Sequence, residues 1–165
     1  MPTTLVQITD VHLVPEGALL PSGLDPAPPF AAALDAVAAV GGDVAALLLT
    51  GDLADGGDAA SYARLRRMLD PLDVPMLCAA GNHYDRAALR EHLLGASPSA
   101  APLDHLSRIG GLRVVVLDST VPGHAGGEIT PDRLDWLAAE LASPAPEGTV
   151  LALHHPPLPT PSRLL

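Results

Sequence analysis

Hydrophobic and polar positions along this chain follow two periods. Short, mostly apolar runs at residues 5–9, 44–50, 75–80, 112–118 and 149–153 predict strands, most of them buried. Between them, apolar residues recur at helical spacing over residues 30–40, 58–69 and 85–94. Gly41-Gly42 stops the first helix and Gly95 the third; Asp58 suits the cap of the second, with Pro71 beyond its end. Residues 106–109 pair with the 112–118 strand through the Gly110-Gly111 turn, and Thr130-Pro131 caps and opens a fourth helix reaching Leu141. Alternating strands and helices with one hairpin predict a layered α/β domain with a mixed sheet. Residues 156–165 hold four prolines in their first six positions and predict no element.

The polar residues that close these runs carry the chemistry. Asp10-Val11-His12, Gly51-Asp52, Gly81-Asn82-His83 and His154-His155-Pro156-Pro157 each follow an apolar run. Strands of one parallel sheet bring their C-terminal ends to one rim, where open α/β folds bind ligands. Four strand ends would then converge on one site. Asp10 and His12 share a face if the strand persists, and Asp/His sets with a further carboxylate suit Zn²⁺, Mn²⁺ or Fe. Gly-Asp alone is a common turn; the ordered set of four is far harder to obtain by chance.

Composition narrows the ligand. At 165 residues the chain fits one domain, and 48% hydrophobic residues with 2% aromatics leave Ala, Leu and Val to fill the core. The formal charge of −10 disfavours nucleic-acid polymers but not a small phosphorylated substrate, because bound cations invert the local potential. Cys78 is the single cysteine and reads as a buried, inert thiol in a reducing compartment. No secretory signal opens the chain, and no apolar run approaches the roughly 18 residues of a spanning helix, so a cytoplasmic protein is expected.

In order, Asp10-Val11-His12, Gly51-Asp52-Leu53-Ala54-Asp55, Gly81-Asn82-His83 and His154 resemble the signature of the calcineurin-like metallophosphoesterases. The segments Leu117-Asp118-Ser119-Thr120-Val121-Pro122-Gly123-His124 and Leu153-His154-His155-Pro156-Pro157 bring the likeness nearer to bacterial class III cyclic-nucleotide phosphodiesterases. The resemblance implies an α/β/β/α sandwich with mixed sheets, a single domain over residues 1–165 that lacks its last strands. It implies two divalent metal ions (Mn, Fe, Zn or similar), a bridging water activated between them, and hydrolysis of phosphodiesters such as cAMP. Asp10 and His12 would hold the first metal, Asp52 both, and Asn82 and His154 the second; His83, oriented by Asp55, would be the general acid. A broader phosphodiesterase or phosphomonoesterase, and a catalytically impaired fragment or a phospho-ligand binding module, are the competing readings.

Two departures from the family pattern matter. Tyr84 stands where the family has an acid, with Asp85 next to it, and no Gly-His-x-His block occurs in these residues. Three protein ligands per metal remain, a workable number for a catalytic zinc, so weakened metal binding is expected. The missing strands would leave an apolar face and an open edge that favour a homo-oligomer. His124 could line the substrate pocket or be a plain loop histidine. Arg86 could contact phosphate or lie on a helix face, and Asn82 could also touch substrate. His155 reads as a structural neighbour of His154 or a replacement ligand, Asp118 as a satisfied turn carboxylate, and His92 and His105 as surface residues.

Overall fold

The computed structural model describes residues 3–158, the Asp43 side chain excepted. Two three-stranded sheets pack face to face. The first holds β1 (Thr4–Ile8), β2 (Val44–Thr50) and β3 (Met76–Ala79) in the order β1-β2-β3, all parallel. In the second, β5 (Leu112–Val116) lies between β4 (His105–Ile109), to which it is antiparallel, and β6 (Thr149–Ala152), to which it is parallel.

Side-chain alternation builds two cores from the same strands. Leu47 and Leu49 of β2, with Cys78 just across on β3, face the helices, where they meet Phe30, Leu34, Tyr62, Leu65 and Leu93. Leu48, Leu77 and Ala79 point the other way and pack on Val114, Val116 and Ala152 of the second sheet. The helices on the first sheet are α1 (Ala27–Val40), α2 (Ala59–Leu69) and α3 (Arg86–Ala88), which runs on as a π-helical turn over Leu89–Leu93. Burial in the first core pushes the Cys78 thiol up to about 12, which makes it inert.

The fourth helix, α4 (Pro131–Leu141), has no buried residue. Arg113 of β5 ties it down: 4% exposed, this guanidinium donates to the carbonyls of Glu140 and Ser143 at the helix C-terminus and to Thr149 Oγ1 at 2.9 Å. A cation suits that end of a helix. Leu134 and Leu141 of α4 and Leu151 of β6 stay exposed.

Three elements depart from expectation. Helix α1 begins at Ala27, not Phe30, because Pro28 and Pro29 fall in its first turn, whose N–H groups have no partner to lose. Thr130 does precede α4, but its side chain makes no capping hydrogen bond. The expected mixed sheet is one of two sheets, the other being purely parallel. Asp58 caps α2 as expected, accepting from Ser61 N at 2.9 Å. The proline-rich tail falls outside the described residues from position 159 onward.

Candidate metal centre

The pairing of β1 with β2 continues past both strands. Asp10 N donates to Gly51 O at 3.1 Å, His12 N to Asp52 O at 2.8 Å, and Asp55 N to Leu13 O at 3.0 Å. Along this extension Asp10, His12 and Asp52 adopt φ of 56°, 46° and 48°, a left-handed conformation that costs a non-glycine residue on the order of 1–3 kcal/mol. Leu13 and Leu53, fully buried just after His12 and Asp52, hold the segment in place. Polar side chains at the ends of the two strands thereby gather at one point.

Donor atoms of Asp10, His12 and Asp52 all lie within 4.8 Å of one another. Asp52 Oδ2 is 3.6 Å from His12 Nε2 and also 3.6 Å from His154 Nε2, so one buried carboxylate oxygen stands between two imidazoles. His154 Nε2 is 3.3 Å from Asn82 Oδ1, and Asp52 Oδ1 accepts from His83 N at 2.9 Å. Strand ends β1, β2, β3 and β6 all contribute.

Tautomers follow from the other ring nitrogens. His154 Nδ1 lies 2.9 Å from the Thr50 carbonyl, an acceptor only, so Nδ1 carries the proton and Nε2 keeps a lone pair available to a cation beside Asn82 and Asp52. His12 Nδ1 sits 3.0 Å from Asp55 Oδ1, which leaves His12 Nε2 toward Asp52 in the same manner. Two neutral imidazole nitrogens, two carboxylates and an amide oxygen are the donor set that first-row divalent ions take. The residues fit such ions.

Glycine is required at two of these positions. Gly51 has φ of 101°, and a Cβ there would lie 2.5 Å from His154 Nδ1. A Cβ on Gly81 would overlap Asp52 Oδ1 and its backbone nitrogen. The Gly-Asp and Gly-Asn-His spellings thus record close approach around one carboxylate.

His83 takes a different place. Its Nδ1 is 2.6 Å from the Asp55 carbonyl, while the Asp55 carboxylate is 3.8 Å away and bonded to His12. The expected orienting contact is therefore made by the Asp55 main chain. Nε2 of His83 is left free of that bond, on a side chain 42% exposed.

Other expected residues lie apart from the cluster. Arg86 Nε pairs with Asp118 Oδ2 at 2.7 Å, and its Nη2 donates to Thr120 O and Oγ1. With 9% of its side chain exposed, the guanidinium is held by the second sheet's loop. Burial opposes ionisation of Asp118, but hydrogen bonds from Arg86, Thr120 and Leu103 N outweigh it and hold the carboxyl below its usual value. His124 is exposed, its N–H closing a turn on Val121 O. His155 is engaged with Ser119 Oγ at 2.7 Å and Ala125 O at 3.0 Å, which clamps the 119–127 loop to the end of β6 and fits the structural reading. Asp85 caps α3 through Ala88 N. The carbonyls of Thr50 and Asp55 went unforeseen, since a main-chain acceptor leaves no trace in residue type.

Strained strand ends that gather carboxylates, imidazoles and an amide at the rim of a two-sheet sandwich define a metal-centre class of protein. The calcineurin-like phosphoesterase family profile matches residues 3–164, and the chain belongs to that family. It is 46% identical over 160 residues to a cAMP/cGMP dual specificity phosphodiesterase of Mycobacterium tuberculosis, covering 94% of this chain and 50% of that protein. It is 33% identical over 155 residues to a 3′,5′-cyclic adenosine monophosphate phosphodiesterase of Pseudomonas aeruginosa, covering 94% of this chain and 56% of that one. The chain thus spans about half the length of these relatives. Among solved structures, a purple acid phosphatase from yellow lupin seeds superposes with a TM-score of 0.50 at 15% identity, over 85% of this chain and 27% of that one. That likeness concerns the fold alone.

Proposed function

We propose that the protein hydrolyses small phosphodiesters, foremost 3′,5′-cyclic nucleotides such as cAMP, at a centre for two divalent cations (Mn, Fe, Zn or similar). The observation that carries this reading is Asp52 Oδ2, placed 3.6 Å from Nε2 of both His12 and His154. Asp10, His12 and Asp52 hold one cation; Asp52, Asn82 and His154 hold the other. The names of the two phosphodiesterase relatives support the substrate class. The chemistry such ions supply is Lewis acidity toward phosphoryl oxygens and a water made nucleophilic near neutral pH.

The chain's own residues do the remainder. Thr50 O and Asp55 Oδ1 fix the two ligand imidazoles in the tautomer that exposes Nε2. His83 protonated on both ring nitrogens gives Nδ1–H to Asp55 O and passes the Nε2 proton to the departing oxygen. Opening a cyclic nucleotide frees an alkoxide of high basicity, so an acid at this point matters; a nitrophenolate leaves without one. Exposed Leu134, Leu141 and Leu151 support homo-oligomerisation. Among the described residues no helix is long and apolar enough to cross a membrane; a cytoplasmic site of action belongs to the same proposal.

Three protein donors per cation is the open count of catalytic zinc. The same count favours a second reading, in which phosphoesters bind without turnover. Both are tested by loading the protein with Mn²⁺, measuring metal content, and assaying 3′,5′-cAMP, bis(p-nitrophenyl) phosphate and p-nitrophenyl phosphate with and without EDTA. Diester turnover abolished by chelation is expected. Turnover of the monoester alone would refute the diesterase reading, and a protein with two metals bound that turns over nothing would establish the second.

A further inference from the structure

A cavity of about 620 Å³ opens directly from the candidate metal centre. Asp10, His12 and Asp55 form its polar end; Leu20, Leu24, Pro29 and Phe30 are among the apolar residues that form the rest. We propose that this cavity is the subsite for a flat, largely apolar group of the substrate, a purine base or comparable ring, while its phosphate lies at the cluster. The inference rests on the phosphodiesterase reading and adds where the non-phosphate half goes.

Size and charge both point this way. The volume lies within the roughly 300–1,000 Å³ of small-molecule sites. Among the described residues no lysine or arginine lines the cavity, and its two carboxylates, Asp10 and Asp55, belong to the polar end at the metal centre. A second phosphate placed among Leu20, Leu24, Pro29 and Phe30 would lose its hydration against apolar side chains, so nucleoside di- and triphosphates are disfavoured against a single phosphodiester. An apolar ring meets no such penalty and buries Leu24, which is 53% exposed at the rim.

The wall is also formed in advance. Leu13 and Val14 are buried where the loop begins, and Arg64 Nη1 donates to Val14 O at 2.9 Å and lies 3.6 Å from Asp25 Oδ1. Asp25 Oδ1 in turn accepts from Ala27 N at the start of α1. Between these anchors Leu20 N donates to Leu24 O at 2.9 Å and Gly23 N to Leu20 O at 2.8 Å, which sets the two leucines side by side. Beyond the cluster, Ser22 and Thr9 supply the only lining hydroxyls among the described residues, and Thr9 Oγ1 is committed to Asp10. Such a lining reads the area of a base better than its hydrogen-bonding edge, so adenine and guanine should be told apart poorly.

The test compares Leu24→Ala with Leu19→Ala, an equally exposed leucine outside the cavity, in the Mn²⁺-loaded protein. Leu24→Ala should raise the KM for cAMP and the Ki of adenosine together by about tenfold with a smaller change in kcat, and Leu19→Ala should move neither. The KM values for cAMP and cGMP should agree within a few-fold. Failure of adenosine to compete, an unchanged KM and Ki in Leu24→Ala, or a preference between the two cyclic nucleotides above about a hundredfold would overturn the proposal. If the metal-loaded protein hydrolyses no ester, the phosphodiesterase reading fails, and the cavity is decided by titrating adenosine while following backbone amide shifts. Shifts centred on residues 20–24 and lost in Leu24→Ala would sustain it; their absence would overturn it.

Discussion

Replacing Arg86 with Met would leave the carboxylate of Asp118 buried without its cation. The Asp118 side chain has no exposed area, that of Arg86 is 9% exposed, and Nε and Oδ2 are 2.7 Å apart. Removing one partner of a buried ion pair costs about 3–5 kcal/mol. The low end applies here, because Leu103 N at 2.9 Å, Thr120 N at 3.0 Å and Thr120 Oγ1 at 2.5 Å still donate to the orphaned carboxylate. A loss of about 3 kcal/mol corresponds to a Tm lower by about 6–12 °C in a domain of this size. Thermal and urea unfolding of the metal-free protein, followed by circular dichroism at pH 7, measures it. Adding Asp118→Asn to the Met variant should recover part of the loss, since the uncompensated charge disappears.

The same pair gives a pH dependence. Asp118 ionises below its usual range in the folded state, so its contribution is present above about pH 4 and is lost as pH falls through the lower folded value. Arg86 is the cation in contact; Arg133 faces Asp104 at 3.1 Å and reaches the Asp118 carbonyl at 2.6 Å. In Arg86→Met the acid limb of the stability curve should move to higher pH. A Tm within about 2 °C of wild type, coupled to a raised KM for a phosphodiester, would refute the buried-pair reasoning and return Arg86 to the substrate site.

Three further outcomes are expected. Asp52→Asn should remove both cations, whereas Asp10→Asn should weaken one; metal content after dialysis distinguishes them, and equal losses would contradict a shared Asp52. His83→Gln should retain both metals yet lower kcat for cAMP by about 10²–10⁴, with far less effect on bis(p-nitrophenyl) phosphate, whose leaving group needs no proton. Asp58→Ala removes the acceptor of Ser61 N and Oγ at the start of α2 and should destabilise by about 1 kcal/mol in urea unfolding, with metal content unchanged.

What could be read from the sequence, and what could not, divides along a physical line. Strand β2 is buried at nearly every position, so its first polar residue had to fall at the rim, and Thr50-Gly51-Asp52 declares the edge of the core and the site together. The same holds after β3. Hidden was whatever depends on the main chain or on long reach. Nothing in residue type distinguishes the Asp55 carbonyl from its carboxylate as the partner of His83, although the carboxylate thereby goes to His12. Nor does it say that the Arg86 guanidinium crosses to a carboxylate 32 residues away in sequence. The cavity beside the cluster belongs to this second kind: its leucines and prolines lie in a segment whose pattern shows only a loop, and their meaning comes from Arg64 and Asp25 holding that loop against α1. Short-range alternation thus places the chemistry that acts on any phosphoester. Long-range anchors, invisible to alternation, shape the part that would select among them.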